Sequence, residues 1–313
     1  ELNAFLKPYG FFFGPNTSTA NRCMIGGMVG NNSCGSTSIV YGSTRDHTLE
    51  LTTILSDGSD VVFKPLSFLE YQNKLKINSL EGDIYRFFHE ELSDESTQKE
   101  IRTEFPKANI RRRNTGYAVD LLLETTPYTD TSEAFNFCKL LAGSEGTLAF
   151  TTEIKLNISP LQDAEMVVAA PHFNSIRETT KAVLTAMKHN PSKCEMMDDL
   201  ILQLTKDNIE QQKNRFYING DPAGMLMVEF RGKTLAEAEA KADVMIAEMK
   251  ANGEGYAFPK IYGKDTEKVW KLRKAGLGIL ANIPGDPKAV ACIEDTAVAL
   301  EDLSDYIDDF TKM

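Results

Sequence analysis

Apolar positions in the second half of the chain switch between two periods. Short apolar runs such as Glu165 to Ala170 and Met225 to Phe230 read as strands. Ile176, Thr180, Val183, Leu184 and Met187 recur three or four apart, as do Ala236, Ala240, Val244, Met245 and Met249, which is the spacing of one helix face. The resulting order is strand 165–170, helix 175–189, strand 194–197, helix 198 to about 208, strand 225–230, helix 235–250 and strand 256–261. Two βαβ units with an antiparallel middle predict a ferredoxin-like α+β sandwich. Further on, 265–281 reads as a helix, 290–293 as a strand and 300–312 as a helix.

The first half has a different texture, rich in Gly, Ser, Thr and Asn up to about Pro160. Apolar runs Leu49–Leu55 and Val61–Phe63 flank Ser56-Asp57-Gly58-Ser59-Asp60, and Asp-Gly between such runs predicts a β-hairpin because glycine accepts positive φ. From Ser67 to Glu104, apolar residues scattered among charges read as an irregular helical insertion. The change of texture sets a boundary: one domain over 1–160, with an insertion at about 64–118, and a second over 161–313.

Charge narrows the function classes. Lys and Arg number 34 against 45 Asp and Glu, a formal charge of -11, which disfavours a nucleic-acid binder. The longest uncharged stretches are broken by Gly, Asn and Ser and fall short of a membrane span. Five cysteines without a CxxC pair point to a reducing cytoplasm, with attachment at the inner face of the membrane left open. Four histidines in neither HxH nor HExxH spacing predict no local metal site. A start at Glu1 and a stop at Met313 inside a helical pattern lead us to expect a piece of a longer protein, cut at both ends.

Glycines 26, 27, 30, 35 and 42 crowd into the segment Ile25 to Gly42. Without Cβ atoms, backbone can approach a ligand and aim N–H groups at its oxygens, so the segment suits a phosphate or a polar ring edge. No Gly-Lys-Ser/Thr follows, and no G-x-G-x-x-G can be read through it. On chemistry alone, a ligand loop and a tight-turned structural loop both remain open.

Five motifs in order decide between them: P-x-T-S-T at 15–19, I-G-G-M-x-x-N-N-S-x-G at 25–35, Y-G-x-T-R-D-H at 41–47, N-x-G-Y at 114–117 and G-S-E-G-T-L at 143–148. Together they resemble the FAD-linked oxidases of the vanillyl-alcohol oxidase (PCMH) type, and within them the D-lactate, glycolate oxidase and D-2-hydroxyglutarate dehydrogenase branch. The resemblance implies that 1–160 is the later half of an FAD-binding domain. It also makes 161–313 an incomplete substrate-side cap, with Trp270-x-x-Arg273 and Glu294-Asp295 as cap elements. It places the family's G-G-G-T-S phosphate stretch before Glu1 and its histidine-bearing metal and catalytic-base segments after Met313. Weak FAD binding by these residues alone is therefore expected.

Carried over residue by residue, the resemblance assigns Thr17, Ser18 and Thr19 to the turn facing the cofactor. Ile25, Gly26, Gly27, Asn31, Asn32, Ser33 and Gly35, with Tyr41 beyond, match the loop lining FAD. Glu145, Gly146 and Phe150 match a later strand at the adenine or flavin end. Departures are Ala149, Cys34 and Asn16, where the family more often has Gly, a small residue and Asp.

The implied reaction is oxidation of a D-2-hydroxy acid by hydride transfer to flavin N5, with electrons leaving to a quinone or to an iron–sulfur module outside this chain. Arg273 is the substrate residue, a guanidinium fork for the carboxylate; the competing reading is a solvated helix-face arginine beside Lys271 and Lys274. Arg111-Arg112-Arg113 reads as a solvated run, His47 and Trp270 as structural residues, and no catalytic base is assigned. Two alternatives stay in view: the same fold with other chemistry, such as an ether-lipid synthase or cell-wall precursor reductase, and a non-catalytic interaction module.

Overall fold

A computed structural model describes residues 1–110, 112–113, 116–283, 285–286, 293 and 296–313, with the backbone alone at 277. Two units divide the chain: Glu1–Pro160 makes the first, and the chain from Leu161 makes most of the second.

In the first unit, helix α1 (Ile25–Asn31) precedes the hairpin of β1 (Thr48–Ile54) and β2 (Asp60–Phe63), which pair antiparallel with Leu51 opposite Phe63 and Thr53 opposite Val61. The Asp57-Gly58 turn holds Gly58 at φ 84°, the region that glycine enters without steric penalty. Next come helices α2 (Phe68–Lys74), α3 (Leu80–Ser93) and α4 (Glu95–Glu104), each started by a side-chain cap from Ser67, Ser79 or Asp94. The expected irregular insertion thus consists of three capped helices. They turn Tyr71, Tyr85, Leu92 and Ile101 into a core with Leu51, Phe63, Phe135 and Phe137 and leave their charges outside. Strand β3 (Phe150–Leu156) returns along the other edge of β1, giving the order β2-β1-β3.

The second unit has strands β4 (Glu165–Ala169), β5 (Lys193–Asp198), β6 (Gly224–Gly232) and β7 (Lys260–Tyr262). β7 pairs with β4, β4 with β6 and β6 with β5, all antiparallel. Helix α5 (Ile176–Lys188) links β4 to β5, and α6 (Leu235–Ala251) links β6 to β7, which is the ferredoxin-like order. Alternation along the strands builds two cores. Val167, Ala169, Leu226, Val228 and Phe230 face one way, onto Ala182, Ala186, Ala242 and Met245. Val168, Ala170, Met225 and Met227 face the other, onto Val269 and Leu272 of helix α7 (Asp265–Ala281). A sheet covered on both faces explains the unbroken apolar runs.

Several boundaries moved. The helix expected to reach 208 stops at Leu204, where the Thr205 hydroxyl bonds the Leu202 carbonyl and Asn208 caps a new short helix, Ile209–Gln212. The strand expected over 256–261 becomes a continuous strand only from Lys260; before it Ala257 makes an isolated bridge to His172, and Pro259, with no N–H to give, only accepts, from the Ala170 N–H at 2.9 Å. The last helix, α8 (Leu303–Lys312), starts three residues late. The strand expected over 290–293 lies, but for Ile293, outside the described residues. Among the described residues no helix is long and apolar enough to cross a membrane.

Candidate functional site

The glycine segment is a helix where a loop was expected. Met28 and Val29 are buried, and this apolar contact stabilises a turn that glycine alone disfavours. Met24 precedes the helix and offers no side-chain cap, so first-turn N–H groups have no acceptor within the helix. Gly26 and Gly27 are exposed, with nothing within 4 Å of the place a Cβ would take. The result is bare backbone with donors at its edge.

Four of the five motifs come together around this helix, and Asn114 of the remaining one lies outside the described residues. Asn32 ends it at φ 52°, and its Oδ1 accepts from the Arg45 N–H at 2.8 Å. The Thr44 hydroxyl donates to the Ser33 carbonyl at 2.7 Å. From the other motif, Gly143 N–H donates to the Val29 carbonyl and Glu145 N–H to the Gly30 carbonyl, both at 2.9 Å. Asn31 Nδ2 donates to Glu145 Oε1 at 3.0 Å, while Asn31 Oδ1 accepts from the Ser33 hydroxyl at 3.0 Å. Tyr117 and Thr147 share a hydroxyl hydrogen bond of 2.7 Å. At Gly35 the backbone passes so near Asn16 that a Cβ would lie 1.6 Å from its carbonyl oxygen, and this approach joins the P-x-T-S-T turn to the segment.

Arg45 clamps the arrangement from behind. It is buried, with Nε and Nη2 donating to the Ala142 carbonyl at 3.0 and 2.7 Å. Burial pulls its pKa down, with Asp46 and Asp120 opposing. Gly143, at φ 94°, leaves room for that guanidinium, since a Cβ there would stand 2.5 Å from Nη2.

Residues 162–313 match the family described as FAD linked oxidases, C-terminal domain, and residues 1–63 match the family described as FAD binding domain. The chain belongs to the FAD-linked oxidase family. Relatives named D-2-hydroxyglutarate dehydrogenase share 33% identity (Pseudomonas putida) and 30% (Escherichia coli) with the whole of this chain, which spans 31% of each. A mitochondrial D-lactate dehydrogenase [cytochrome] of Arabidopsis thaliana is 26% identical over 98% of this chain and 41% of its own. Among solved structures, an alkyldihydroxyacetonephosphate synthase superposes over 90% of this chain and 41% of its own with a TM-score of 0.51 at 13% identity, a likeness of fold.

FAD is the cofactor of this oxidase family, and the first unit fits it. Its open first turn and the side-chain-free surface at Gly26 and Gly27 suit the oxygens of a bulky anionic group.

The predicted residues fall into groups. Asn31, Asn32, Ser33, Gly35, Glu145 and the helix residues Ile25, Gly26 and Gly27 come together as described. Thr17 and Thr19 hold their turn through a 3.2 Å hydroxyl contact, with Ser18 exposed between them. Tyr41 lies edge-on to Phe12 at 5.0 Å. Glu145, at φ 55°, and Gly146 lie in the turn before β3 and not on the strand, and exposed Phe150 begins that strand.

In the second unit, Arg273 lies on α7, its side chain partly exposed and paired with Glu195. Its Nε and Nη2 meet Glu195 Oε2 at 3.0 and 2.8 Å. Beside this pair, Glu229 is fully buried between Lys193, at 2.7 Å, and Arg231, at 2.8 Å, and Lys193 lies 4.5 Å over the Trp270 ring. Burial pulls the Lys193 ammonium below its usual range, with Glu229 opposing.

Sequence reasoning missed Glu195, Lys193 and Glu229. The available signal was a carboxylate inside the apolar run 225–230, since a buried charge requires a partner. Of the run read as solvated, Arg113 is instead half-buried and pairs with Asp120 at 2.6 Å, Arg112 is exposed with its Nε 3.1 Å from Cys34 Sγ, and Arg111 lies outside the described residues.

Proposed function

We propose that this protein oxidises a D-2-hydroxy acid, of the D-lactate, glycolate or D-2-hydroxyglutarate type, to the corresponding 2-oxo acid. The observation that carries the reading is the likeness of the whole chain, through both units, to relatives named D-2-hydroxyglutarate dehydrogenase. FAD, when bound, supplies the redox chemistry by accepting the substrate hydride.

The chain's own residues bind and orient. Gly26, Gly27 and the Thr17 to Thr19 turn present donors to the cofactor. Asn31 and Glu145 hold the second glycine motif against the first, and Arg45 and Asn32 brace both from the buried side. Arg273 takes the substrate carboxylate, whose delocalised charge matches a guanidinium fork. Electrons then leave to a quinone or an iron–sulfur module, in a reducing cytoplasm within reach of the membrane's inner face.

The test is anaerobic addition of D-lactate, glycolate and D-2-hydroxyglutarate, separately, to the flavin-loaded product of the complete gene. Bleaching of the flavin by one of them supports the reading and narrows the substrate. A chain that binds FAD yet is bleached by none has other chemistry, and a chain that ignores FAD sinks the proposal.

A further inference from the structure

We infer that Glu195 is a positioning residue for Arg273: it occupies the Nε side of the guanidinium and turns the outer Nη1–Nη2 edge towards the substrate carboxylate. The inference rests on the role proposed for Arg273 above.

A guanidinium carries five N–H donors in one plane, and two edges of it can grip a carboxylate side by side: Nε with Nη2, and Nη1 with Nη2. Glu195 takes the first edge with a single oxygen, Oε2, at 3.0 Å from Nε and 2.8 Å from Nη2. Among the described residues no other group takes the Nη1 hydrogens. The Arg273 side chain keeps 39% of its exposure while that of Glu195 keeps 16%. Glu195 is thus the more covered partner, and the Nη1–Nη2 edge of the more exposed Arg273 keeps Nη1 unengaged among the described residues.

Strand geometry explains why Glu195 stays in place. It lies two residues after Lys193 on β5, hence on the same face, and Lys193 is itself tied to the buried Glu229. Glu195 thus extends from a strand paired to β6 along its whole length, whereas Arg273 extends from α7. Lys271 and Lys274 flank Arg273, so one carboxylate on Arg273 leaves the neighbourhood cationic.

Glu195→Ala, Glu195→Gln and Arg273→Gln would be compared with wild type in the flavin-loaded product of the complete gene, with D-2-hydroxyglutarate and D-lactate as probes. For Glu195→Ala, KM is expected to rise about tenfold or more, with kcat changed less than about threefold, because uniform binding is lost and not the chemistry. Glu195→Gln, whose carbonyl still accepts from Nε, is expected to recover part of that loss. Partial rescue separates orientation from mere bulk.

Glu195 variants that leave KM unchanged overturn the inference, and so does a lowered KM, which would make Glu195 a competitor of the substrate. Should Arg273→Gln also leave KM unchanged, the carboxylate role of Arg273 fails with it. If Arg273→Gln alone raises KM, that role stands and only the assignment of Glu195 falls.

Discussion

Asn31 and Glu145, 114 positions apart, are joined by a 3.0 Å hydrogen bond from amide to carboxylate. A backbone bond from Glu145 N–H to the Gly30 carbonyl, at 2.9 Å, lies beside it. Both side chains are exposed, so their link contributes little to stability and its main effect is on geometry. Glu145→Ala is expected to lower stability by less than about 1 kcal/mol. Its larger effect is expected on FAD affinity, read by flavin-fluorescence titration. An unchanged affinity would remove Glu145 from the cofactor side.

Glycines of the same motif are expected to behave in opposite ways. At Gly26 and Gly27 a methyl group enters open space on a helix, so Gly26→Ala and Gly27→Ala are expected to raise stability by up to about 1 kcal/mol. On the proposed cofactor role of Gly26 and Gly27, the same methyl groups cover backbone that meets FAD, and affinity is expected to fall. At Gly35 the methyl meets the Asn16 carbonyl, and Gly35→Ala is expected to cost about 3 kcal/mol or more. Urea unfolding and FAD titration on the three variants read both effects.

Glu229 tests the second unit. Removing its carboxylate leaves Lys193 and Arg231 in a sheltered place without a counter-charge, and Glu229→Ala is expected to cost about 3 to 5 kcal/mol. Replacing all three residues by Met is expected to return most of that loss, because no unpaired charge then remains. The chain has one tryptophan, Trp270, under the Lys193 ammonium, so its fluorescence reports unfolding of this region.

His172 sets a pH dependence. The fully buried ring accepts from the Asn219 N–H at Nε2, at 3.1 Å, which leaves Nδ1 to donate to the Ala170 carbonyl at 2.6 Å. This is the neutral imidazole, and burial holds its pKa below the usual range. The unfolded chain takes up a proton near pH 6.5 while the folded one does not. Its contribution to stability is therefore whole above about pH 6.5 and is lost as pH falls from there towards the depressed folded value. Urea midpoints of wild type are expected to fall more than those of His172→Gln between about pH 7.5 and about pH 5.5.

Much of this molecule is decided locally and is therefore legible in the sequence. Asp57-Gly58 specifies the hairpin turn by itself, and the switch of period between 165 and 261 carries the ferredoxin-like order. The five motifs carry the family resemblance, because each is a short run of residues read without any tertiary contact. What the sequence did not determine depends on partners distant along the chain. Helix α1 forms despite its glycines because Met28 and Val29 are buried and residues 143 and 145 bond to its carbonyls. Nothing in the sequence around Arg273 names Glu195, which the sheet brings within 3.0 Å of it. Strand register and helix placement, which bring together residues 78 positions apart, arise from burial summed over a whole core, and no short window of sequence contains that sum.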